Sequence, residues 1–285
     1  MTESHRRWPL RGWAGLALIA VFWPLNWLLT GPRTHWAFFP LWLGYCLAVD
    51  AAVSFRKGSS PFSRDPAGYA GMFPVSVLAW WLFEFVNWRT GNWIYLGEEH
   101  VGPVGFFLLS SLSFSTVIPA VFGTAELVGT WRPIRRMRTA APLAVTQPLL
   151  AGMFAAGWAM LALLLLWPRW FFPFVWLSLF FILEPVNAWR ANSTLLGFLA
   201  RGDRRPILAL SLGCLVCGFF WEMWNFFSYP KWIYEIPFVG FLKVFEMPAL
   251  GYLGYAPFAW ELFAFHAFVL GLAGRSSSVD FAGEF

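Results

Sequence analysis

Two stretches of this chain place a carboxylate three residues before a carboxamide inside an otherwise apolar run. The first is Trp80–Leu96, WWLFEFVNWRTGNWIYL, with Glu84 and Asn87; the second is Phe219–Ile236, FFWEMWNFFSYPKWIYEI, with Glu222 and Asn225. Each then turns polar and closes on Trp-Ile-Tyr, at Trp93–Tyr95 and Trp232–Tyr234. A third Glu-x-x-Asn is Glu184 with Asn187. Positions three apart share a face of a helix, so each pair points into one space. There the amide can hold the carboxylate, or a protonated carboxyl can donate to a ligand. A buried acid facing a greasy substrate has the makings of a general acid. The blander reading is that the pairs bond across helices and fix the packing of a bundle. Ionisable groups in such runs are costly, which makes them functional-site hypotheses.

The elements that position these pairs are set by composition. The 285 residues are 59% hydrophobic and 12% charged, with a mean hydropathy of +0.58. A soluble domain carries about 25% charged residues. Runs long enough to cross a bilayer, roughly 20 residues, recur along the whole length. This predicts an all-α integral membrane protein without a sizeable soluble domain. The net charge of +5 comes from basic residues spread over short loops, not one face, so no nucleic-acid partner is expected. Cys46, Cys214 and Cys217 fall in apolar segments and read as small core residues; the Cys214-x-x-Cys217 pair lacks the partners of a zinc site.

Eight spans are expected, at about 13–30, 36–54, 69–88, 104–128, 149–167, 170–189, 206–228 and 252–274. The run after Arg6, Arg7 and Arg11 has no small-x-small cleavage site behind it and reads as a retained signal anchor. With the N-terminus inside, the inner segments hold fifteen Lys and Arg, Arg138 among them, and the outer ones five, including Arg33. That bias favours N- and C-termini on the cytoplasmic face of the cell membrane. The repeat runs further: Asp50…Arg56 ends one span and Glu184…Arg190 another, with acid and Arg six apart in both. Two parallel four-helix repeats are therefore expected, over 1–130 and 149–274. A basic cytoplasmic linker, 131–148, joins them, and a tail, 275–285, follows. A site between the halves is the usual consequence of such a plan. Residues 238–251, short and rich in Gly and Pro, read as a re-entrant or interfacial half-helix.

The site expected from this topology lies in the outer half of the membrane. Glu84, Glu222 and Glu261 are its candidate acids. Its candidate substrate contacts are Asn87, Asn225, Trp93, Tyr95, Trp232, Tyr234, Trp221, Glu246, Glu184 and Asn187. For His266, five residues past Glu261, packing or hydrogen bonding is expected. Many of the twenty Trp suit interfacial belts. Trp80, Trp81, Trp176, Trp221 and Trp224 lie inside spans near the acids, where their faces can steady a carbocation or simply fill space. Four His, at positions 5, 35, 100 and 266, cannot form the clusters of membrane di-iron desaturases. Neither a Gly-rich phosphate loop nor a Gly-x-Ser-x-Gly elbow is present.

An acid on a helix, a Trp-x-Tyr element about ten residues later, and then a helix with Pro before an acid resembles the small membrane-embedded lycopene cyclase domains, which occur as pairs. The matching residues are Glu84, Trp93-Ile-Tyr95 and Pro119…Glu126, and Glu222, Trp232-Ile-Tyr234 and Pro257…Glu261. The likeness covers roughly 80–130 and 218–266. It implies acid-initiated cyclisation of a carotenoid-like polyene or terpenoid with no metal and no cofactor. More distantly, Trp221-Glu222 is similar to the Trp-Glu of integral-membrane terpene cyclases.

Three functions remain open on the sequence. The chain is a cyclase or isomerase protonating an isoprenoid substrate; a carrier whose halves rock around a Glu/Asn-lined site for a lipid or small molecule; or an accessory subunit, with a homo-oligomer or membrane partner, in which the pairs are helix glue.

Overall fold

The computed structural model describes residues 7–29, 35–137 and 139–281. Arg6, Arg33 and Arg138 lie outside them, as does His5. The fold is predominantly helical. α1 (Leu10–Leu28) lies along α2 (Phe38–Lys57), and the two backbones touch at glycines: a Cβ on Gly15 would stand 2.6 Å from the Gly44 carbonyl oxygen. After the one-turn α3 (Pro61–Arg64), α4 (Pro66–Thr90) starts where the Asp65 side chain accepts from the Gly68 N–H and Pro66 takes the first turn. That is the ordinary chemistry of a helix start. It stops at Gly91, whose φ of 62° is left-handed.

Strand β1 (Trp93–Leu96) follows, then α5 (Gly102–Phe114), α6 (Val117–Gly129) and a short α7 (Arg132–Arg135). The second half runs α8 (Gln147–Leu166), α9 (Pro168–Phe171), α10 (Ser178–Trp189), α11 (Leu195–Ala200) and α12 (Arg205–Phe226). It ends with β2 (Lys231–Tyr234), β3 (Lys243–Val244), β4 (Met247–Pro248) and α13 (Tyr255–Leu272).

Among the described residues, six helical stretches are long and apolar enough to cross a membrane: Phe38–Lys57, Pro66–Thr90, Gly102–Gly129, Gln147–Leu166, Arg205–Phe226 and Ala249–Leu272. A seventh arises if Pro168–Trp176 and Ser178–Trp189, bent by 41°, form one span. α1 is not among them; it carries Arg11, Pro24 and Asn26 in its 19 residues. The half-helix expected at 238–251 does not form. Phe238, Leu242 and Phe245 take positive φ, which breaks a right-handed helix, and the segment is instead a minute β3–β4 pair followed by a 3-10 turn at Ala249–Gly254.

The two halves share one hydrophobic core, in which Trp42, Ile118 and Phe122 meet Leu210, Trp224 and Leu262. α6 packs along α12 so closely that a Cβ on Gly213 would stand 2.6 Å from Ala125 Cα, the small-residue contact that lets helices approach in a membrane. At one end of the bundle, buried Glu126 accepts from Lys57 at 3.0 Å and from Arg64 at 2.7 and 2.8 Å. The stretch after α13 folds into this cluster. The Asp280 N–H donates to Glu126, Arg64 donates to the Ser278 carbonyl, and Phe281 is buried against Phe122 and Phe263.

Candidate functional site

The Trp-Ile-Tyr tripeptides pair with each other. β1 and β2 are antiparallel, with Trp93 opposite Tyr234, Ile94 opposite Ile233 and Tyr95 opposite Trp232, so a local two-fold exchanges one tripeptide for the other. Each strand is fastened to its own helix by the Asn of the motif. Asn87 Nδ2 donates to the Trp93 carbonyl at 2.8 Å while its Oδ1 accepts from the Asn92 and Trp93 N–H groups at 2.9 and 3.3 Å. Asn225 repeats the bracket on Trp232, donating at 2.7 Å and accepting at 2.9 Å. Both carboxamides, expected as substrate contacts, are spent on backbone.

The brackets deliver a tyrosine to each acid. Tyr95 donates to Glu84 Oε1 at 2.5 Å, joined by the indoles of Trp93 at 3.0 Å and Trp80 at 2.9 Å. Tyr234 donates to Glu222 Oε1 at 2.7 Å and Tyr255 to the same oxygen at 2.8 Å. The Trp232 indole donates to the Tyr234 hydroxyl at 2.9 Å. Glu222 is fully buried, and its Oε2 has no partner among the described residues.

A cavity of about 450 Å³ lies beside this arrangement. Its wall includes Trp80, Trp93 and Tyr95 from the first half and Trp176, Trp221, Glu222, Trp232, Tyr234, Tyr255 and Phe258 from the second. Ring packs on ring around it: Trp93 stacks on Trp176, Trp221 on Tyr255, and Phe258 meets Trp80, Trp176 and Trp221 edge-on. Asn26, His35, Asn92, Glu98 and Lys231 add a polar sector. Within it, Asn26 donates to the Trp224 carbonyl and Lys231 is ion-paired with Glu246. His35 sits outside the spans, and its burial, reinforced by nearby His100, holds its pKa below the usual histidine value against the opposing pull of Glu99.

Not every expected residue is brought here. Glu84 stands behind the wall formed by its own donors and does not line the cavity. Glu246 reaches it only through Lys231. Glu261 does not line the cavity: its Oε1 accepts from the Leu179 N–H at 3.0 Å and so caps the start of α10, where free amides need an acceptor, and its Oε2 has no partner among the described residues. Glu184 likewise accepts from the Leu196 N–H of α11 at 2.6 Å, and Asn187 donates to the Ala264 carbonyl at 2.8 Å. His266 is buried, its ring edge-on to Phe122.

Sequence reasoning missed Tyr255, His35 and Phe258. Tyr255 lies 33 residues beyond Glu222, and nothing in local spacing links the two; the only signal was the Gly- and Pro-rich setting Gly251–Pro257. His35 falls in a loop, outside any periodic pattern. Compared with known protein families, with curated proteins and with solved structures, the chain matches none.

Proposed function

We propose that the aromatic cavity is the working site of a membrane enzyme that starts cyclisation or isomerisation of an apolar isoprenoid chain by protonating it from Glu222. One observation carries this reading: Glu222 Oε1 is taken by two tyrosine hydroxyls, while its buried Oε2 has no partner and the residue lines an aromatic-walled cavity. An oxygen that accepts two O–H donors behaves as the carbonyl oxygen, so the acid's proton rides on Oε2. That proton adds to one carbon of a C=C bond and leaves a cation on the other. A second C=C bond attacks the cation, forming the ring C–C bond, and a neighbouring C–H proton returns to the carboxylate. Nothing is oxidised or reduced, and the product is an isomer of the substrate.

The rings of Trp176 and Trp221 line the cavity, where aromatic groups steady a cation, and the two tyrosines stabilise the carboxylate when it has given up its proton. At about 30 Å³ per water-sized group, the 450 Å³ cavity holds on the order of fifteen such groups. A chain of fifteen to twenty carbons or one end of a longer polyene is of that order.

Two further parts belong to the same reading. The halves are parallel copies of one four-helix unit, and with α1 and the bent α9–α10 stretch as spans the chain crosses eight times, both ends on the cytoplasmic side of the cell membrane. The paired brackets on Trp93 and Trp232 support the duplication. So do Asp50 and Glu184, each accepting from a backbone N–H twelve residues on, at Phe62 and Leu196, in short helices capped by the side chains of Ser60 and Thr194.

A carrier is the second reading, favoured by the exposed Leu250 and Leu253 in the cavity wall, which make an apolar doorway. Mass spectrometry of the isoprenoids that copurify with wild type and with Glu222→Gln separates the two. The enzyme reading expects cyclised product only with wild type; the same unaltered molecule held by both proteins overturns it in favour of the carrier.

A further inference from the structure

Nine buried side-chain nitrogen or oxygen atoms have no hydrogen-bond partner among the described residues, and only two of them, Glu222 Oε2 and His35 Nε2, belong to residues that line the cavity. The first is used by the proposed proton transfer. The second is not. His35 is 8% exposed, just ahead of α2, and an imidazole nitrogen buried without a partner loses a water hydrogen bond for nothing in return. A ligand group is the partner that restores it.

The charge around the cavity says what that group is not. Among the described residues, Glu98, Glu222 and Lys231 are the lining residues of charged type, Lys231 is already ion-paired with Glu246, and no arginine joins them. Binding a diphosphate takes an uncompensated cluster of guanidinium or ammonium groups, and the described lining residues supply none. A neutral oxygen is different. A hydroxyl can donate to Nε2, and a carbonyl can accept from it, as the tautomer allows.

We propose that His35 is a ligand-binding residue that receives a neutral oxygen function, a hydroxyl or carbonyl, on the isoprenoid chain occupying the cavity. The substrate class of the proposed reaction is thereby narrowed to an oxygenated isoprenoid, not a prenyl diphosphate or a plain hydrocarbon. This rests on the cavity being an isoprenoid site, but not on Glu222 being its acid.

The test is binding in detergent, read by quenching of tryptophan fluorescence from the cavity wall. The probes are geranylgeraniol, the C20 hydrocarbon of the same skeleton, and geranylgeranyl diphosphate. The alcohol is expected to bind about tenfold more tightly than the other two. His35→Ala is expected to bring the alcohol's affinity to within about twofold of the hydrocarbon's, and His35→Gln, which keeps a hydrogen-bonding end, restores part of the difference. Equal affinities for alcohol and hydrocarbon in wild type overturn the proposal, as does tighter binding of the diphosphate, and neither depends on whether a variant folds. Glu222→Gln keeps the alcohol preference while losing turnover, so failure of the acid assignment and failure of the His35 assignment give different results. If none of the three probes binds, the isoprenoid site itself falls and this proposal with it.

Discussion

Around Glu84, a second donor comes from the same helix one turn back, where Trp80 sends its indole N–H to the carboxylate at 2.9 Å. Around Glu222 the equivalent position, four residues before the acid, is Gly218. A Cβ on Gly218 would stand 2.3 Å from a ring carbon of Tyr255, and it is Tyr255 that supplies the second hydroxyl to Glu222. Counting back from Pro119 and Pro257, the first half has Val117 where the second has Tyr255. A Trp and a Val on one side thus answer a Gly and a Tyr on the other. Both halves keep a multiply bonded carboxylate oxygen, but the exchange brings Glu222 to the cavity and puts an indole between the cavity and Glu84. The lesson is that the two acids share a motif without sharing a setting: Glu222 is fully buried and belongs to the cavity lining, whereas Glu84 is partly exposed and does not.

The largest effect that tests this contrast is on turnover. Glu222→Gln is expected to lower conversion of a bound isoprenoid at least about a hundredfold, the size of a lost general acid, and Glu84→Gln by less than about tenfold. Product analysis on the two purified variants checks it, and equal losses would erase the distinction. Next come the brackets. Asn87→Ala and Asn225→Ala each strand a buried Trp carbonyl and N–H, at about 1–3 kcal/mol. Melting temperatures in detergent should fall alike for both; a drop for one alone means the strands are not held symmetrically.

A steric test follows. Gly218→Ala pushes a methyl group into Tyr255 and is expected to cost about 1–3 kcal/mol. In the Gly218→Ala/Tyr255→Ala double variant that cost should vanish, giving a coupling energy in a double-mutant cycle; additive effects would show that the glycine makes no room for the ring. The smallest change is Tyr255→Phe, which removes one hydroxyl at about 0.5–1.5 kcal/mol, and its thermal shift should match that of Tyr95→Phe.

Much of this was open to reading in the chain. The apolar runs announced a membrane-type helical protein, and the doubled Glu-x-x-Asn with its Trp-Ile-Tyr pointed to Glu84, Glu222, Tyr95 and Tyr234 before any coordinate. The role of Asn87 and Asn225 did not follow, because it depends on β1 pairing with β2 across more than 130 residues. Local spacing says which face a side chain takes, not which backbone arrives there. The cap that Glu261 places on α10 did not follow for the same reason: its partner, the Leu179 N–H, lies 82 residues away. Residues 238–251, short and rich in Gly and Pro, suit a re-entrant or interfacial half-helix in the sequence, whereas the positive φ values at Phe238, Leu242 and Phe245 carry the chain another way.

The docking of residues 278–281 at the ionic end bears on the order of assembly. Lys57 bonds to Asp280 across 223 residues, and a side chain at Gly129 would collide with the Phe281 carbonyl. As helices leave the ribosome and enter the bilayer in turn, Lys57, Arg64 and Glu126 are in place long before the strand that closes over them. The closing contact is among the longest loops the chain must shut, and loop closure of that length is a late event. The bundle is therefore latched from its far end, and a chain halted after α13 would leave Glu126 without the Asp280 N–H and Arg64 without the Ser278 carbonyl.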